Sequence, residues 1–115
     1  MAVSKKVRQQ VIDRDGCCPC CGDVYSLTIQ HRVNRGMGGS RKRDNLANLM
    51  LLCAKTNAAL ESDPVWQRCA LEYGWKLRQW DDPLFVPVYE PMWGVWWRLD
   101  DKGGREAVPW EDHPF

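Results

Sequence analysis

Several things are scarce in this chain, and each scarcity narrows what it can be. No apolar run approaches the roughly 20 residues that span a bilayer, so no membrane-spanning helix is expected. The opening stretch MAVSKKVRQQVIDRDG carries charges but no apolar h-region, so no signal peptide is expected and a cytoplasmic setting is. Charge of one sign is not in excess. Sixteen Lys and Arg stand against 15 Asp and Glu, and the net +1 says nothing in favour of a nucleic-acid partner. There are two histidines, no internal repeat and no low-complexity tract. A composition 44% hydrophobic and 27% charged is that of an ordinary globular protein, and 115 residues suit a single domain over 1–115.

The elements follow from spacing. Val3, Val7, Val11 and Ile12 repeat at helical intervals, which predicts a helix over 2–14 with Ser4 as its cap and Asp15-Gly16 as its stop. Residues 26–33 alternate as a strand, with Leu27, Ile29, His31 and Val33 on one face and Thr28, Gln30 and Arg32 on the other. A loop over 34–45 carries Gly36, Gly38 and Gly39. A second strand is expected near 49–52 and a helix over 54–61. Ser62-Asp63-Pro64 starts a further helix that runs to about Tyr73 and stops at Gly74. Six of the seven tryptophans lie from Trp75 onward, a region with extended segments around 85–89 and 93–99 and a turn at Asp101-Lys102-Gly103-Gly104. Aromatics this dense usually fill a core, so most are expected to be buried.

Six cysteines in a chain with no export signal point to metal or free thiols rather than disulfides. Cys18-x-x-Cys21-Gly22 is a knuckle: two thiolates that reach one tetrahedral ion across a turn that glycine permits. Cys17-x-x-Cys20 has the same spacing one register earlier. Cys53 stands where a second knuckle would begin, but three positions on is Thr56, and Cys69 lies farther along on a helix. The reading is a partial zinc site through Cys18, Cys21 and Cys53. Its alternative is a degenerate knuckle of buried reduced cysteines.

Near-zero global charge conceals a local excess. Arg32, Arg35, Arg41, Lys42 and Arg43 follow one another with no acid before Asp44, a run that can hold phosphate or merely be a solvated loop. His31 by itself reads as a structural histidine. The order of features around it says more. Arg14-Asp15-Gly16, Cys18 to Gly22, Gln30-His31-Arg32, Arg35-Gly36-Met37-Gly38-Gly39-Ser40 and Asn48 to Cys53 occur in succession, closed by Thr56-Asn57. This succession resembles the HNH endonuclease family, in particular its small phage-type members, over residues 14 to about 63. Trp80-Asp81-Asp82-Pro83 and Trp97-Arg98-Leu99-Asp100-Asp101 look like the tails of such members.

The resemblance implies an α+β chain. It would have a small ββα-metal core over about 14–63, an N-terminal helix, an extra helix and a Trp-rich extended tail over 64–115. It implies hydrolysis of DNA phosphodiester bonds. His31 would be the general base, since a free imidazole titrates near about 6.5 and accepts protons at neutral pH. Asn48 would position the His31 loop by amide hydrogen bonds. Asn57 and Gln30 would offer oxygens to Mg²⁺ or another divalent cation (Mn²⁺, Ni²⁺ or Zn²⁺). Arg32, Arg35, Arg41, Lys42 and Arg43 would hold DNA phosphates. A phage terminase or a host protein would be further partners, in the bacterial cytoplasm, with no membrane. Two positions depart from the family's pattern: Gln30 stands where His or Asp is usual, and Thr56-Asn57 where Cys-His is usual. They motivate a second reading, a non-enzymatic DNA- or host-protein-binding module. A purely structural zinc ribbon is the third.

Overall fold

The computed structural model describes residues 3–34 and 41–114, without the side chains of Arg41 and Lys42. It is an α+β fold with three α-helices and two small antiparallel sheets. Helix α1 (Lys5–Asp15) begins where expected: the Ser4 hydroxyl accepts from the Val7 amide at 3.2 Å, and Gly16, at φ 74°, closes it by donating to Ile12 O. Its apolar stripe puts Val11 into full burial against Leu46, Leu49 and Leu51.

Strands β1 (Leu27–His31) and β2 (Leu49–Cys53) pair antiparallel, from Leu27 opposite Cys53 to His31 opposite Leu49. All five residues of β2 are buried, because α1 covers one side and the rest of the core the other. The far edge of β2 is closed by the Arg14-Asp15 pair. Arg14 donates to Leu46 O at 2.9 Å and to Leu49 O, while Asp15 Oδ2 accepts from the Leu51 amide at 3.1 Å. A strand edge that would otherwise be open is thereby satisfied. Two short 3₁₀ turns, Arg41–Asp44 and Leu46–Asn48, lead into β2, and the first stands where a plain loop was expected.

Helix α2 (Ala54–Ser62) follows β2 directly, its first turn capped by the Cys53 sulfur, which accepts from the Thr56 amide at 3.4 Å. Asp63 then caps α3 (Pro64–Glu72) through the Val65 amide at 2.9 Å, with Pro64 in the first turn. Gly74 ends it at φ 74°. A Cβ there would lie 2.1 Å from Pro87 O, so no other residue fits.

The tail forms the second sheet, β3 (Val88–Glu90), β4 (Val95–Leu99) and β5 (Arg105–Ala107), in the order β3-β4-β5. Strand β5 was not foreseen. The turn before it is held by Asp100 Oδ1, which accepts from the Lys102 and Gly104 amides. The tryptophans divide rather than mostly burying. Trp75 and Trp96 are buried and Trp66 and Trp97 half-buried, but Trp80, Trp93 and Trp110 are 79%, 67% and 79% exposed. The sheet has one face against the core, and these three lie outside its strands. No helix among the described residues is long and apolar enough to cross a membrane.

Candidate functional site

The two ends of the β1–β2 ladder carry the chemically able side chains. At the Cys53 end, the turn after α1 folds back so that the Gly22 amide donates to Cys18 O at 2.9 Å. This brings Cys18 and Cys21 beside Cys53. The three sulfurs lie within 4.8 Å of one another, and Cys21 Sγ is 3.7 Å from Cys53 Sγ. Bound to one tetrahedral zinc at about 2.3 Å each, two thiolates stand about 3.8 Å apart, so the spacing fits such an ion. All six cysteines are free thiols. Burial opposes ionisation of Cys53. The hydroxyl and amide of Thr56, with the thiols of Cys21 and Cys18, outweigh it by hydrogen bonding to the sulfur and hold Cys53 below the ordinary thiol range. One member of the trio is thus predisposed to be a thiolate, the form that binds metal. The three cysteines could hold a metal ion.

At the other end, His31 Nε2 meets Asp44 Oδ1 at 2.7 Å, with the two side chains 21% and 18% exposed. Asp44 ends the 3₁₀ turn that follows the basic loop. Asn48 locks this arrangement. Its Oδ1 accepts from the Val33 amide at 2.7 Å, and its Nδ2 donates to Val33 O at 3.0 Å and Arg43 O at 2.8 Å. One fully buried amide therefore ties the chain just after His31 to the turn that carries Asp44.

No protein family, curated protein or solved structure matches this chain. The weight rests on the geometry.

Residue by residue, the expectations divide. Cys18, Cys21 and Cys53 come together. Asn48 makes the positioning bonds foreseen for it. Asn57 Nδ2 donates to Thr28 Oγ1 at 2.8 Å, and Gln30 Nε2 donates to Trp75 O at 3.2 Å. With both nitrogens engaged, the amide oxygens are the atoms left for a cation, but Gln30 is buried. Gln30, and Thr28 that holds Asn57, lie on one face of β1 and His31 on the other, so the expected site residues are spread across both faces of the strand.

Arg32 departs outright from its expected role in holding phosphate. It is 0% exposed. Its guanidinium donates to Gly74 O at 2.7 Å, Ala47 O at 2.9 Å, Pro83 O at 3.0 Å and Val86 O. Burial, and then the nearby Arg14, push its pKa down to about 9, which still leaves a cation at neutral pH. The charge is consumed in tying β1 to the segment after α3. Arg43, partly exposed, leans on Gln79, donating to its backbone oxygen at 3.2 Å. Arg35, the Gly36–Ser40 loop and the side chains of Arg41 and Lys42 lie outside the described residues.

Asp44 is the functional candidate that the sequence reading passed over. The available signal was its place as the first acid after the basic run, 13 residues from His31.

Proposed function

We propose that the chain is a metal-dependent DNA endonuclease of HNH type, built on a ββα-metal core of β1, β2 and α2. The observation that carries this reading is the His31–Asp44 pair, held at the partly open end of the ladder by Asn48. Asp44, bonded to one ring nitrogen, orients the imidazole that would take the proton of the attacking water. Asp44 fixes the tautomer and balances the cation that results, as a carboxylate behind a catalytic histidine does elsewhere. Water oxygen bonds to phosphorus as the bond to the leaving ester oxygen breaks. A divalent cation, when bound, supplies charge stabilisation at the phosphoryl and leaving oxygens. The resemblance assigns that cation to the Gln30 and Asn57 carbonyl oxygens, and the reading needs Gln30 and His31, which point to opposite faces of β1, to reach one phosphate around the end of the strand. Arg35, Arg41, Lys42 and Arg43 supply phosphate contacts. At the cysteine end the ion is zinc, in a structural role.

A second reading, a non-catalytic binding module for DNA, a phage terminase or a host protein, is favoured by the exposed Trp80, Trp93 and Trp110. One assay separates the two. Supercoiled plasmid is incubated with Mg²⁺ or Mn²⁺ and the wild type, His31→Ala or Asp44→Asn. The endonuclease nicks the plasmid. His31→Ala loses about a hundredfold or more, the range of a general base, and Asp44→Asn loses about tenfold. Equal nicking by wild type and His31→Ala, or none with any metal, overturns the nuclease; retention of DNA without cleavage then favours the module.

A further inference from the structure

Three sulfurs leave a tetrahedral ion one donor short. The position that would repeat the knuckle is Thr56, whose hydroxyl is already engaged with Cys53 Sγ at 3.1 Å. A neutral hydroxyl is a weak donor for a soft, thiolate-preferring site. The cluster is not sealed, however. Cys21, Cys53 and Thr56 face a cavity of about 210 Å³, and Cys20 lines it too, with Lys55 at its rim.

We propose that Cys20 is the fourth ligand, so that the metal is held by Cys18, Cys20, Cys21 and Cys53. The proposal rests on the three-cysteine centre described above and is independent of the nuclease reading.

Three observations support it. Of the three cysteines outside the trio, Cys20 alone borders the cluster's cavity. Cys17 borders a different one with Asp15 and Glu90, and Cys69 lines another with Tyr73 and Trp75, which Cys20 also reaches. Cys20 and Thr56, the residue at the vacated ligand position, line the same cavity. Finally, four thiolates on a divalent ion leave two negative charges, and Lys55 supplies a cation at that wall. Cys20 Sγ lies outside the set of three within 4.8 Å, so ligation requires it to swing inward, and the open volume in front of it is the room for that movement. Each thiol that binds gives up its proton to solvent as the metal–sulfur bond forms, with no change of oxidation state.

The test is cobalt substitution of the full chain. Co²⁺ is titrated into reduced, metal-free wild type and the Cys20→Ser, Cys17→Ser and Cys69→Ser variants. Absorption gives the stoichiometry, the coordination number and the thiolate-to-metal charge-transfer intensity. Wild type is expected to take one ion in tetrahedral form. Cys20→Ser should lose about a quarter of the charge-transfer intensity, one thiolate in four, and bind about tenfold or more weaker. Cys17→Ser and Cys69→Ser should match wild type. X-ray absorption of the zinc-loaded wild type, which needs no variant to fold, should show four sulfurs at about 2.3 Å. Three sulfurs and one oxygen in that spectrum, or full charge-transfer intensity in Cys20→Ser, overturn Cys20 while leaving the trio intact. Absence of any bound ion in wild type overturns both.

Discussion

The two ends of one short ladder solve different problems. Where Leu27 faces Cys53, the chain collects sulfur from residues close in sequence: a turn of four positions brings Cys18 and Cys21 together, and β2 adds one more. Where His31 faces Leu49, it collects nitrogen and oxygen from the turn before β2, and that meeting depends on a buried Asn48 bridging two backbone segments. Four ladder steps at about 3.4 Å separate the ends by roughly 14 Å. A structural ion bound at one end would therefore act on the other through the stiffness of the hairpin, not through direct charge at short range. The cysteine end is arranged to hold a shape, and the imidazole end to leave one ring partly in water.

Removing the metal is the strongest way to break this contrast. Chelation of the zinc-loaded protein is expected to lower unfolding free energy by about 4 kcal/mol if the ion had been supplied at a thousandfold excess over its Kd. Thermal melts with and without chelator measure it. The loss should grow with pH from acid toward neutral, because protons compete with the metal for the sulfurs and the loaded form is more stable where they are fewer. Cys53 is held below the ordinary thiol range while Cys21 is pushed up to about 11, so Cys21 is protonated before Cys53 on acidification.

Next in size is Arg32→Ala, which strikes the imidazole end from behind. Four carbonyls, three of them in buried hydrogen bonds, lose their donor, and about 3 kcal/mol of stability should go with them, read as a lower urea midpoint. An unchanged midpoint would mean that the guanidinium is dispensable and that the two sheets dock without it.

The smallest effect sharpens the comparison at its middle. Asn57→Ala removes the bond to Thr28 and should cost about 1 kcal/mol. If Asn57 also serves the cation, nicking falls far more than this stability loss explains, and Mg²⁺ dependence shifts to higher concentration. Proportionate losses would make Asn57 a strand clamp alone.

How far the sequence could be read differs between elements for physical reasons. The helices at 5–15, 54–62 and 64–72 lie within a residue or three of expectation, because Ser4, Gly16, Asp63 and Pro64 act on backbone conformation within one turn. The predicted strand over 26–33 ended early at His31, because the next residue turns its side chain inward to carbonyls 15 to 54 positions away. Nothing near Arg32 in the chain signals those acceptors, and an arginine beside a basic loop reads as surface. The exposed tryptophans escaped for the same reason. Aromatic content predicts that a core exists, whereas a given ring's burial depends on which faces of the tail sheet find a partner.

What the sequence determined by itself is therefore the set of local geometries: the helix limits, the hairpin of two apolar strands and the four-residue turn that pairs Cys18 with Cys21. These depend on torsions and spacing over a few residues. Tertiary structure alone decided that Arg32 is a buried tie, that Asp44 stands behind His31 and that Cys20 opens onto the cavity beside Cys21 and Cys53. Each of those results from packing between segments far apart in the chain, where burial and hydrogen-bond satisfaction of the whole molecule, rather than any local preference, select the partner.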